Sequence, residues 1–273
     1  MERGKRMTYE KNAVAFAARA GRVASEYETV YALGMFGNPL SASAIDAKAQ
    51  QYPKWYTAEK VAFLKERMNA SSRPVFGFDC VCFLKGLFWG WNGDASKPYG
   101  GAVYLSNGVE DVDETALFSR CSGIGTDFSG LAVGEAVWMP GHIGIYLGDS
   151  LAVECAPAWK NGVQITSVRK TVPGYFRRDW HKHGKLPYLD YSSAVTAEEE
   201  SVCVGLPILQ KGTVGYPVKT LQRLLNALLF AGLETDGSFG PATEAVLRAY
   251  QTSVALVPDA SCGPATWAKL LKG

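Results

Sequence analysis

Cys80 follows a carboxylate, Asp79, and opens the apolar run Cys80 to Gly90, a placement that can make a thiol nucleophilic. Asp79 can accept hydrogen bonds from the first free N–H groups of a helix, so the helix is predicted to begin at or just after it. The positive end of the helix dipole then favours thiolate over thiol at Cys80. A nucleophile also needs a base and a group that orients the base. Both occur in the stretch His142 to Glu154, which reads as a strand, a Gly-Asp turn and a second strand. If Gly148, Asp149 and Ser150 close that hairpin, His142 and Glu154 are diagonal neighbours on one face. A two-residue turn puts them on opposite faces. Cys80, His142 and Glu154 are therefore candidates for nucleophile, base and orienter of acyl transfer through a thioester.

The elements that must position these residues alternate between helical and strand signals over residues 1–190, with turn clusters at Trp91-Asn92-Gly93-Asp94, Tyr99-Gly100-Gly101 and Pro140-Gly141. That pattern predicts an α+β domain with a small antiparallel sheet. Val14, Ala17, Ala18 and Gly21 recur at helical spacing and predict an amphipathic first helix. Large apolar residues become scarce from Ser192 to Ser201, which marks a linker placed at 191–202. Residues 203–273 contain a repeat: Asp236-Gly237-Ser238-Phe239-Gly240-Pro241-Ala242-Thr243 returns as Asp259-Ala260-Ser261-Cys262-Gly263-Pro264-Ala265-Thr266. Pro at a first helical turn predicts helices from Pro241 and Pro264. Val218, Leu221, Leu224, Leu225, Leu228 and Leu229 predict an earlier one, giving a small all-α three-helix unit.

Asp79-Cys80-Val81-Cys82-Phe83 and His142 to Gly148 resemble the nucleophile and histidine blocks of the NlpC-type cell-wall cysteine peptidases, compact relatives of papain. Val81 and Cys82 replace the Ser-Gly pair of that motif. The resemblance puts the third catalytic position at Glu154 and a substrate-lining tyrosine at Tyr31, in Tyr31-Ala32-Leu33-Gly34, with Asp79 at the substrate as well. Residues 38–77 form a longer separation before the cysteine than the family usually has. Asp236 to Thr243 resembles the Asp-Gly-x-Phe-Gly-x-x-Thr motif of the three-helix peptidoglycan-binding domain. Together the resemblances imply a bacteriolytic hydrolase, without cofactor, that cleaves stem-peptide amide bonds in cell-wall peptidoglycan. The D-glutamyl to diamino acid bond is the first expectation. An amidase acting between muramic acid and L-alanine, an acyltransferase and an inactive wall-binding protein stay open.

A formal net charge of +2 in 273 residues, with no basic block, argues against a nucleic-acid partner. No apolar run approaches the ~18 residues of a membrane span. The basic start Met1 to Arg6 precedes an apolar patch too short for a signal peptide, so synthesis in the cytoplasm and an endolysin-like release to the wall are expected. The oligomeric state is open. The 6 cysteines lack the spacing of a disulfide framework, and Cys82, Cys121, Cys155, Cys203 and Cys262 read as small core residues. Cys80 and Cys82 with His181 and His183 lack the spacing of a structural zinc module, so no metal is expected. Trp89, Trp91 and Trp138 read as core.

Overall fold

The computed structural model describes residues 11–172, 174–192, 206–254 and 256–272. Most of the expected linker, with Cys203, lies outside them. The N-terminal part is α+β. Helix α1 (Ala13–Glu26) starts where the Asn12 side chain accepts from the Ala15 N–H at 2.9 Å. Its buried residues are Ala13, Phe16, Ala17, Ala20, Gly21 and Val23. The expected stripe shared only Ala17 and Gly21 with this face, because Phe16, the largest apolar side chain of the helix, sets its orientation by stacking on Phe88.

Strands β1 (Glu28–Tyr31), β2 (Phe36–Pro39) and β3 (Val75–Phe78) form a sheet in which β3 is central, parallel to β1 and antiparallel to β2. Helices α2 (Ala42–Gln51) and α3 (Ala58–Ala70) fill the long segment between β2 and β3. They cover this sheet with a core of their own that includes Val30, Met35, Ile45, Tyr56 and Leu64.

Helix α4 (Cys80–Phe88) follows β3 directly, and all nine of its residues are buried. A helix apolar all round belongs inside a domain. Its one charged residue, Lys85, reaches Asp111 Oδ1 at 2.5 Å and donates to the Val112 carbonyl at 2.8 Å, so the buried charge is paired. After α5 (Glu114–Ser119) come β4 (Ser122–Gly125), β5 (Ala136–Met139), β6 (His142–Gly148), β7 (Leu151–Cys155), β8 (Val163–Val168), β9 (Phe176–Arg178) and β10 (Lys182–Lys185). These form a seven-stranded sheet in the order β4-β10-β5-β6-β7-β8-β9, antiparallel except for the parallel pair β8 and β9. The sheet is therefore larger than expected, and a second sheet accompanies it. Both α1 and α4 pack on β6 and β7, which places the start of α4 beside the start of β6.

The C-terminal helices α6 (Tyr216–Leu229), α7 (Pro241–Ser253) and α8 (Pro264–Lys272) enclose a separate core of Leu209, Leu221, Leu225, Phe239, Leu247, Cys262 and Trp267, among others. The sequence repeat is also a structural one. Gln222 on α6 donates from Nε2 to Asp236 Oδ1 (2.8 Å), the Ser238 carbonyl (3.0 Å) and Thr243 Oγ1 (3.2 Å), while its Oε1 accepts from the Gly237 N–H (2.9 Å). Gln251 on α7 does the same with Asp259 (2.8 Å), Ser261 (3.0 Å), Thr266 (3.1 Å) and the Ala260 N–H (2.9 Å). The polar side chains of the repeated motif are thus engaged in holding each loop to the preceding helix. Among the described residues no helix is long and apolar enough to cross a membrane.

Candidate active site

Asp79 is extended (φ −101°, ψ −179°) and caps α4, its Oδ1 accepting from the Cys82 N–H at 2.6 Å. Its other oxygen, Oδ2, accepts from the Gly34 N–H at 2.8 Å. Asp79 lines the cleft, but both its oxygens are taken by backbone donors, so its observed work is to join the turn after β1 to the helix start rather than to present a free carboxylate to a substrate. Burial raises its carboxyl, and the two N–H bonds oppose that shift.

Cys80 lines a cleft of about 560 Å³ together with Tyr31, Tyr52, Lys85, Tyr104 and Gly141. Its Sγ faces the Gly141 carbonyl at 3.9 Å, one residue before His142. Burial, reinforced by the charge of Asp79, pushes the Cys80 thiol up to about 12, against the opposing effect of the Val81 and Ile143 N–H groups. Desolvation thus opposes the thiolate that the helix dipole is expected to favour. Tyr31 stands at the same cleft, packed against Trp55 (ring centroids 5.7 Å), and its hydroxyl is raised by burial and by the neighbouring Cys80 and Asp79.

His142 and Glu154 lie on one face as diagonal neighbours, since Gly144 pairs with Glu154 across β6 and β7. The route differs from the expected one. The loop is the two-residue pair Asp149 and Ser150, both with positive φ (50° and 60°), and a bulge between Tyr146 and Gly148 supplies the one-residue offset that a three-residue loop would have supplied. His142 Nε2 is 2.6 Å from Glu154 Oε2. This leaves Nδ1 as the ring nitrogen available to another partner.

Glu154 is 0% exposed and accepts three further donors. Thr166 Oγ1 donates to Oε1 at 2.7 Å, Arg178 Nε lies 2.9 Å from Oε1 and 3.0 Å from Oε2, and Arg178 Nη2 donates to Oε2 at 2.6 Å. Burial pushes the Glu154 carboxyl up, but the bonds from His142 and Arg178 outweigh it and hold the group below its ordinary value. The indole of Trp180 lies parallel to the His142 ring (5.5 Å between centroids, 12° between planes) and shields that face from water. Gly144 makes room for it, because a Cβ there would meet the Val153 carbonyl oxygen at 2.8 Å and Trp180 at 3.2 Å.

Arg178, Trp180 and Thr166 were absent from the sequence-based set. They reach the site from β8, β9 and the β9–β10 connection, and no local spacing links them to His142. Of the residues considered for a metal, His183 places Nδ1 2.5 Å from Glu135 Oε2, and Cys82 is buried within α4. Cys121, Cys155 and Cys262 are buried core residues, as are Trp89 and Trp91, while Trp138 is half-buried.

Residues 214–270 match the family model described as "Putative peptidoglycan binding domain". An uncharacterized protein of Kitasatospora aureofaciens, from the bpoA1 3' region, is 39% identical over 84 residues, which is 29% of this chain and 71% of that protein. The crystal structure of a peptidoglycan-binding protein from Clostridioides difficile in complex with glutamine hydroxamate is 37% identical over 24% of this chain, with a TM-score of 0.23. The chain spans 40% of the length of that solved protein. The three-helix unit built on the Gln222 and Gln251 hubs is the part that the family model describes, and through residues 214–270 the chain belongs to the peptidoglycan binding domain family.

Proposed function

We propose that residues 11–192 are a thiol hydrolase of the NlpC type acting on amide bonds of peptidoglycan stem peptides, and that the C-terminal unit holds it at the cell wall. The observation that carries this reading is a series of contacts: Cys80 at the start of a buried helix, its Sγ facing the carbonyl of Gly141, the residue before His142, and the buried Glu154 that engages His142 Nε2. The family match of residues 214–270 supports the wall as the location of the substrate.

In this mechanism His142 takes the Cys80 proton through Nδ1 as Sγ attacks the scissile carbonyl carbon. The C=O π pair moves to oxygen, and the backbone N–H groups at the start of α4, including that of Cys80, stabilise the oxyanion. Collapse expels the amine, which receives the proton from His142 and leaves a thioester on Cys80. Water, deprotonated by His142, hydrolyses the thioester and regenerates the thiol. A base that removes the proton during attack suits a thiol raised by burial, since a preformed thiolate is not required. The bond between D-glutamate and a diamino acid is the first assignment, and the muramoyl to L-alanine amide is the alternative within the same chemistry.

A second reading, in which the cleft does no chemistry and the chain only binds walls, draws on Val81 and Cys82 in place of the Ser-Gly pair and on the helices inserted between β2 and β3. Mass spectrometry of fragments released from defined peptidoglycans separates the two. Hydrolysis predicts new amine and carboxylate termini at one bond type, their loss in Cys80→Ala and on thiol alkylation, and indifference to chelators. Equal release by a folded Cys80→Ala chain would refute the assignment, and absence of any release by the parent would leave wall binding alone. The Cys80→Ala full chain should still pellet with walls.

A further inference from the structure

A buried carboxylate beside an imidazole normally favours the imidazolium, because an adjacent anion stabilises the protonated ring. A base held in that form cannot accept the Cys80 proton. Glu154 is such a carboxylate, 0% exposed and 2.6 Å from His142 Nε2. Its charge is matched by a fixed cation, since Arg178 clamps both oxygens through Nε (2.9 and 3.0 Å) and Nη2 (2.6 Å). Arg178 is itself fixed, with its guanidinium carbon 5.6 Å from the centre of the Trp159 ring. Thr166 Oγ1 takes a remaining direction on Oε1 at 2.7 Å.

We propose that Arg178 is a positioning residue that cancels the charge of Glu154, so that the Glu154 and Arg178 pair presents to His142 a neutral hydrogen-bond acceptor equivalent to an amide oxygen. The inference rests on the hydrolase reading for its catalytic meaning, but its electrostatic content is independent of hydrolysis. Around the imidazole stand Glu154 from β7, bonded to Nε2, Arg178 from β9, bonded to Glu154, Cys80 of α4, whose Sγ faces the carbonyl of the preceding residue Gly141, and Trp180 as an uncharged cover. Asp79 and Glu114 of α5 act on the thiol. Among the described residues, Arg178 is the permanently charged cation bonded to Glu154. Thr166 and Trp180 can orient and shield but carry no charge.

The test is the protonation midpoint of the His142 imidazole, followed by nitrogen-15 NMR in the full chain with Cys80→Ala to remove the thiol and any turnover. Arg178→Gln should raise the midpoint by about one unit or more, a tenfold gain in proton affinity. Arg178→Lys, which restores charge without the bidentate fork, should lie nearer to the parent. The pair Glu154→Gln with Arg178→Gln, which removes both charges and keeps an acceptor, should return the midpoint to within about half a unit of the parent.

Arg178→Gln leaves a buried carboxylate unmatched and can unfold the domain. In that event the double variant decides, because it buries no charge. An Arg178→Gln midpoint equal to that of the parent, or a double variant displaced by a full unit or more, overturns the proposal. In Cys80-containing enzyme the acidic limb of the kcat/KM profile should move with the same midpoint. If the parent releases no wall fragments, the hydrolase reading falls while the NMR result still decides the role of Arg178.

Discussion

Replacing Gln222 by Met should loosen the three-helix unit by about 3 kcal/mol and leave the rest of the chain untouched. Met has nearly the volume of Gln and removes every hydrogen bond of the hub. Two of the orphaned groups, the Gly237 N–H and the Thr243 hydroxyl, are in buried bonds, and leaving a buried donor or acceptor unpaired costs about 1–3 kcal/mol each. The bond to Asp236 is at the surface, where water replaces it. A gain of under about 1 kcal/mol from the more apolar side chain offsets part of this. The remainder is comparable to the whole stability of so small a unit, about 3–10 kcal/mol. The assay is amide hydrogen exchange of the full chain read by mass spectrometry. Protection in peptides covering α6, α7 and α8 should fall by about a hundredfold, the equivalent of that energy, while peptides covering α1, β6 and β7 should keep theirs. Gln251→Met should behave alike, because Gln251 repeats each bond in the second loop. Unchanged protection in α6 to α8 would show that the hubs decorate a fold held by its apolar core alone, and the argument from buried polar groups would fail.

In wall lysis, Cys82→Ala should retain most activity, since Cys82 lies within α4 and only Cys80 faces Gly141; turbidity loss of purified walls checks this. His142→Ala should lose nearly all release of fragments, whereas Glu154→Gln keeps a measurable part, because an amide can still accept from the ring. The folded Glu154 carboxyl lies below its ordinary value of 4.5, so its stabilising effect is full above that pH and is lost as pH falls through the folded value. Denaturant midpoints of parent and Glu154→Gln should therefore converge below about pH 4.5 and stay apart above it, and a constant gap would refute the coupling. Ala260 has φ +59° where the first repeat has Gly237, so Ala260→Gly should raise the melting temperature of the C-terminal unit, by up to about 1 kcal/mol in stability.

What the sequence made legible was local. The Asp79 cap and the apolar run after it announce a helix with Cys80 at its start, because capping and burial act within one turn. The alternation from His142 to Glu154 announces two strands. It cannot announce that the loop has two residues and that a bulge restores the offset, since both routes place the same side chains on the same face. Arg178, Trp180 and Thr166 were not legible, because their contacts with Glu154 and His142 depend on how β8, β9 and β10 are ordered around β7. In the C-terminal unit the repeated loops were visible as matching words, while the glutamines that hold them sit at unequal sequence distances from them. Gln222 reaches Thr243 across 21 positions and Gln251 reaches Thr266 across 15. The inserted helices α2 and α3 show why residues 38–77 are long: they bury the outer face of the first sheet with a core of their own.

Asp79 carries a consequence for engineering. A designer seeking a new stem-peptide preference would exchange the turn that bears Tyr31 to Gly34, treating it as an adjustable jaw and the cysteine helix as a fixed motor. One buried carboxylate serves both, with an oxygen on the Gly34 N–H and the other on the Cys82 N–H. A replacement turn that withdraws its N–H leaves that oxygen without a partner, and the loss is transmitted to the cap of α4, which aims the thiol. Under the proposed hydrolase reading, selectivity and turnover are therefore not independently adjustable from this side of the cleft. Loops exchanged there must present a backbone donor at the Gly34 position.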